Sequence, residues 1–174
     1  MELSLQYKTA LVCGGSQGIG KAIAIELAML GASCILLSRN LNSLQQTVKE
    51  LPFTNDQSHA CHAIDFNDVD ALKALVSNIT EDHTIDILIN NTGGPSAGPI
   101  ETADPLAFQA AFSQHLVCNH ILAQAVIPAM KQNGWGRIIN VISTSVRIPI
   151  DNLGVSNTIR AAVASWSKTM SNEL

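Results

Sequence analysis

Four glycines fall within seven residues, Gly14-Gly15-Ser16-Gln17-Gly18-Ile19-Gly20, directly after the apolar run Thr9-Ala10-Leu11-Val12-Cys13. A glycine-rich turn between a strand and a helix lets backbone come close to a phosphate. The helix start adds unpaired N–H groups and the positive end of a dipole. The spacing is G-x-x-x-G-x-G, distinct from the common G-x-G-x-x-G. Gly15 to Lys21 also satisfies most of a P-loop, but Ala22 stands where a Ser or Thr must hold magnesium. A tight turn without a ligand is the bland alternative. Phosphate binding is the stronger reading.

A second apolar run ends in Leu36-Leu37-Ser38-Arg39-Asn40. A guanidinium there can pair a phosphate through two parallel hydrogen bonds; the competing reading of Arg39 is a solvated charge at a strand end. The cluster His59-Ala60-Cys61-His62 is not expected to bind a metal, because His62 points to the opposite strand face from His59 and Cys61.

These groups need elements to hold them. Apolar runs predict strands at Thr9–Cys13, Cys34–Leu37, Ile85–Ile89 and Arg137–Ile142, with a weaker one at His59–Ile64. Amphipathic stretches predict helices at 18–30, 41–51, 69–79, 105–131 and 155–174. Strands apolar throughout and alternating with helices indicate a parallel sheet covered on both faces. Right-handed crossovers then give an α/β, doubly wound, Rossmann-type sheet in three layers. No linker or repeat divides residues 1–174, so one domain is expected.

Composition narrows the partners. The chain is 47% hydrophobic and 14% charged with a net charge of −4, a globular balance. Its ten basic residues are scattered, which argues against nucleic acid. No apolar run is long enough to span a bilayer, so no membrane is expected. Four isolated cysteines and a start without a basic, then apolar, leader predict the reducing cytoplasm.

Three collinear strings resemble the short-chain dehydrogenase/reductase family. Cys13-Gly14-Gly15-Ser16-Gln17-Gly18-Ile19-Gly20 is similar to its T-G-x-x-x-G-I-G, with Cys13 in place of Thr. Asn90-Asn91-Thr92-Gly93 resembles its N-N-A-G, and Arg137 to Ser143 resembles its fifth strand and catalytic serine. The resemblance implies a dinucleotide held by Gly14, Ser16, Gln17, Gly18, Ile19 and Gly20. Asn91 and Gly93 would line a ribose, with Thr92 between them also binding the cofactor, and Asp65-Phe66 would border the adenine ring; Asp65 has a helix N-cap as its alternative role. Ser38 stands where an acid would select NAD, and Arg39 with Asn40 follows it, so NADP(H) is the expected cofactor, with NAD disfavoured.

The same resemblance exposes a departure. The family's Y-x-x-x-K falls on Ser156-Asn157-Thr158-Ile159-Arg160, and its helical Asn falls on His115. The one tyrosine, Tyr7, precedes the first strand and cannot substitute. Ser143, Ser156, Arg160 and His115 are therefore the candidate catalytic residues. The expected function is a non-standard NADP(H)-dependent interconversion of a small-molecule carbonyl and alcohol; the alternative is a catalytically silent NADP(H)-binding sensor or partner subunit. Arg147 reads as a surface charge. Relatives of this kind continue past Leu174 with two more strands and a substrate lid, so the chain reads as truncated. They are also homo-oligomers, dimers or tetramers, with Gln114–Val117 and Ala161–Ala164 as candidate contacts.

Overall fold

The computed structural model describes residues 3–54 and 56–174. Five strands, β1 (Thr9–Cys13), β2 (Ser33–Ser38), β3 (Ala60–Ala63), β4 (Ile87–Asn90) and β5 (Arg137–Asn140), form one parallel sheet in the order β3-β2-β1-β4-β5. Order and direction match the expected doubly wound sheet, which places its switch point between β1 and β4.

Side-chain alternation explains why these strands are apolar throughout. Leu11, Cys13, Ile35, Leu37 and Leu88 pack on one face against α3 (Val69–Asp82) and α5 (Cys118–Gln132). Ala10, Val12, Cys34, Leu36, Ile87 and Ile89 pack on the other against α1 (Gly18–Met29) and α2 (Leu41–Glu50). Both faces are covered, so neither register position is left for polar residues. β5 is an edge strand, and Ile139 on it is 49% exposed.

The helix expected over 105–131 is not continuous. It comprises α4 (Pro105–Phe112), a π-helical turn over Ser113–Val117, and α5. Periodicity alone cannot show a π turn, because one extra residue per turn shifts the apolar stripe only locally. The last helix, α6 (Gly154–Glu173), starts one residue earlier than expected. Among the described residues, no helix is long and apolar enough to cross a membrane.

Candidate functional site

Parallel strands deliver their C-terminal ends, and the turns that follow, to one rim of the sheet. A cleft of about 470 Å³ opens there, lined by Gly14, Ser16, Gln17, Gly18, Ile19, Ser38, Arg39, Asn40, Asp65, Phe66, Asn91, Thr92 and Gly93. All but one of the residues expected to hold a dinucleotide thus share one cavity. The exception is Gly20, which is buried beneath it. A Cβ on Gly20 would collide with the Gly14 carbonyl, so its role is close packing of α1 under the turn. Ser43 and Gln114 also line the cleft; no sequence pattern marked Ser43, and Gln114 was expected only at a subunit contact.

The first turn of α1 differs from its neighbours. Asn40 caps α2 by accepting from Ser43 N at 3.0 Å, Asp68 caps α3 from Ala71 N at 2.9 Å, and Asp104 caps α4 from Leu106 N at 2.9 Å. α1, like α6, has no side-chain cap and no acid in its first turn among the described residues. Such a start leaves N–H groups unpaired by side chains, as an anion site requires. Gly18 has φ +55°, and a Cβ built there meets nothing within 4 Å, so the missing side chain opens the rim. Asn91 fixes the floor, its Nδ2 donating to the Cys13 carbonyl at 3.3 Å.

At the β2 end, Arg39 is exposed and Ser38 Oγ is buried without a partner among the described residues. The N-cap role considered for Asp65 belongs to Asp68; Asp65 instead accepts from Asn67 N and Nδ2, both at 3.0 Å. Phe66 is only 5% exposed and is part of the core, so little of its ring is offered to a ligand.

The four candidate catalytic residues come from three places in the fold, and none of them lines that cleft. Ser143 ends the β5 rim and caps a 3-10 turn over Thr144–Val146; its Oγ accepts from Ser145 N at 3.1 Å. That bond orients the oxygen and leaves the hydroxyl proton free to donate. Ser156 and Arg160 lie on α6. Ser156 is in its first turn rather than at the N-cap, which is Leu153. Arg160 is half-buried, and its Nη1 donates to the Val141 carbonyl at 3.0 Å. Burial lowers its pKa, although the group stays charged at any working pH.

His115 sits inside the π turn, 1% exposed, with Nδ1 2.7 Å from Thr92 Oγ1 and Nε2 without a partner among the described residues. Burial, aided by the Arg160 charge, pushes its pKa down to about 4. The imidazole is neutral at working pH and, in this chain alone, too buried for the intersubunit contact expected of it. Burial also pushes the thiols of Cys13 and Cys34 up to about 12 and that of Cys118 to about 11, so none of these is a nucleophile.

A latch absent from any sequence pattern positions α6. Gly98 pairs with Leu153 in an isolated parallel bridge, Gly98 N donating to Asn152 O at 2.7 Å and Gly154 N to Gly98 O at 3.2 Å. A Cβ on Gly154 would lie 2.6 Å from the Ile100 backbone, so only glycine fits the crossing. The segment after β4 and the start of α6 are thereby tied together. Arg147 is exposed, as expected of a surface charge.

Known proteins share this arrangement. The family model for short chain dehydrogenase matches residues 8–174. The NADPH-dependent reductase BacG of Bacillus subtilis is 30% identical over 172 residues, covering 98% of this chain and 66% of that protein. The 7alpha-hydroxysteroid dehydrogenase of Escherichia coli is 31% identical over 174 residues, 99% of this chain and 67% of that protein. The L-sorbose reductase of Gluconobacter frateurii, solved with NADPH and L-sorbose, superposes with a TM-score of 0.92 at 28% identity, over 99% of this chain and 66% of that one. The chain thus spans about two thirds of the length of these relatives. With the family model matched from before β1 to the end of α6, the chain belongs to the short-chain dehydrogenase family.

Proposed function

We propose that the protein binds NADP(H) and interconverts a carbonyl and an alcohol on a small molecule by hydride transfer. The observation that carries this reading is the single cleft that joins the uncapped start of α1 to Arg39. Gly14 and the amides of Gly18 to Gly20 suit the pyrophosphate, while Arg39, with the unpartnered Ser38 Oγ beside it, suits a 2′-phosphate. The BacG reductase named NADPH-dependent and the sorbose reductase solved with NADPH support the choice over NAD.

When bound, NADPH supplies a hydride to the carbonyl carbon. The chain's own residues hold the oxygen. Ser143 donates its free hydroxyl proton in a hydrogen bond, and Ser156 adds a second hydroxyl from the first turn of α6. Arg160 contributes positive charge near the developing alkoxide but releases no proton. A serine hydroxyl is a weak acid, so water from the open rim completes the alcohol. The tyrosine and lysine of the family pattern are replaced here by Ser156 and Arg160, and we expect slow turnover for that reason. The chain is further proposed to act as one domain within a homo-oligomer.

The absence of a phenol in the cleft favours one second reading, a silent NADP(H)-binding sensor or partner subunit. Tyr7 is 80% exposed on the loop before β1. NADPH fluorescence titration, followed by loss of NADPH absorbance over a panel of carbonyl compounds, separates the two. Saturable binding with turnover supports the enzyme; binding without turnover supports the sensor; no binding overturns both.

A further inference from the structure

Two departures from the family pattern touch each other. Thr92 carries a hydroxyl where N-N-A-G has a methyl, and His115 carries an imidazole where the family has Asn. Thr92 Oγ1 lies 2.7 Å from His115 Nδ1, and Thr92 lines the cleft. One proton occupies that contact. Which atom owns it depends on the imidazole tautomer, and the tautomer fixes what Thr92 offers to a ligand.

The surroundings of His115 decide the tautomer. Its Nε2 is buried without a partner, and the ring feels the charge of Arg160. The segment from Thr92 to Gly94 links the two residues: Thr92 bonds the imidazole, and a Cβ on Gly94 would lie 3.5 Å from Arg160 Nη2. A proton on Nε2 would be a buried donor with no acceptor among the described residues, the costlier way to leave that nitrogen unpaired. The proton therefore belongs on Nδ1, which donates to Thr92 Oγ1. The threonine oxygen is then engaged as acceptor, and its own proton is left for the cleft. A hydroxyl that accepts from N–H is polarised into a stronger donor.

We propose that Thr92 is a dedicated hydrogen-bond donor to the bound dinucleotide, held in that role by His115. The inference rests on the NADP(H) reading above. Thr92 follows β4, and Arg160 bonds the carbonyl of Val141 just after β5, whereas Arg39 and Asp65 follow β2 and β3 on the far side of β1. Its acceptor is accordingly an oxygen on the nicotinamide half, from the ribose or the carboxamide. Thr92 is a binding residue in this account, and His115 is a positioning residue that acts through it.

The test compares NADPH with adenosine 2′,5′-bisphosphate, which lacks the nicotinamide half. Thr92→Val keeps the shape and removes the hydroxyl. It should weaken NADPH about three- to tenfold, the worth of one hydrogen bond, and leave the bisphosphate unchanged. His115→Leu should weaken NADPH by a similar factor, and His115→Asn, which keeps a donor near the Nδ1 position, should restore it. A proton–nitrogen NMR correlation of the wild-type imidazole reads the tautomer without relying on any variant folding. Protonation at Nε2, equal loss of both ligands in Thr92→Val, or no loss of either overturns the proposal. Wild-type protein that binds neither ligand overturns the NADP(H) reading and this inference with it; wild-type binding with an unaffected Thr92→Val removes this inference alone.

Discussion

The cleft and the proposed catalytic group are built by opposite means. From Gly14 to Gly20 the cleft offers backbone amides and the space left by absent side chains. The proposed catalytic side chains stand outside its lining, Ser143 after β5, Ser156 and Arg160 on α6 and His115 in the π turn. The first site depends on conformation, which a handful of glycines secure. The second, in the mechanism proposed above, depends on residue type at four separate positions, with Ser156, Arg160 and His115 proposed to depart from the family pattern.

The hardest blow to the backbone end is Gly18→Asp. The position has open space around it and aspartate tolerates positive φ better than most residues, so the fold should survive. A carboxylate set against the pyrophosphate should weaken NADPH about 100-fold or more by fluorescence titration, since like charges in contact cost several kcal/mol. Unchanged affinity would mean that the turn is not the phosphate site.

Ser143→Ala strikes the other end. If its hydroxyl holds the reacting oxygen, kcat should fall about 100-fold, as for loss of one oxyanion donor, while the Kd for NADPH stays the same. A shifted Kd with unaltered kcat would reverse the comparison. Arg39→Asp is expected to weaken NADPH about tenfold to 100-fold and leave NADH little affected, the worth of a charge-assisted phosphate contact. Equal effects on the two cofactors would return Arg39 to the role of a solvated charge.

Smaller effects sharpen the contrast between helix starts. Asp68→Ala should cost about 1 kcal/mol in denaturant unfolding and leave NADPH binding alone, because Asp68 caps α3 and lies outside the proposed phosphate site. The imidazole of His115 offers a pH window. Its pKa in the fold is about 4, against 6.5 for a free histidine. As pH falls below 6.5 the unfolded chain takes up a proton that the folded chain refuses, so this contribution to stability is full above 6.5 and is lost by about pH 4. His115→Asn should flatten the pH dependence of the unfolding midpoint over that interval.

The parallel sheet and the glycine turn were legible in the sequence because each leaves a local mark: buried strands are apolar throughout, and a close backbone approach demands glycine. The N-cap role considered for Asp65 was misplaced by three residues, since Asp65 and Asp68 are equally good caps and only the chain path chooses. Phe66 was legible as apolar but not as core. The Thr92–His115 bond and the Gly98–Leu153 latch were invisible, because each joins segments distant in sequence. Ser43 and Gln114 reach the cleft through helix orientation, which periodicity does not report.

The central claim is that pyrophosphate docks on the bare amides at the start of α1. Backbone amide NMR during an NADPH titration tests it most directly. The account predicts saturable shifts at Gly18, Ile19 and Gly20, absent in Gly18→Asp protein. Saturable binding that leaves those three amides unmoved would contradict it.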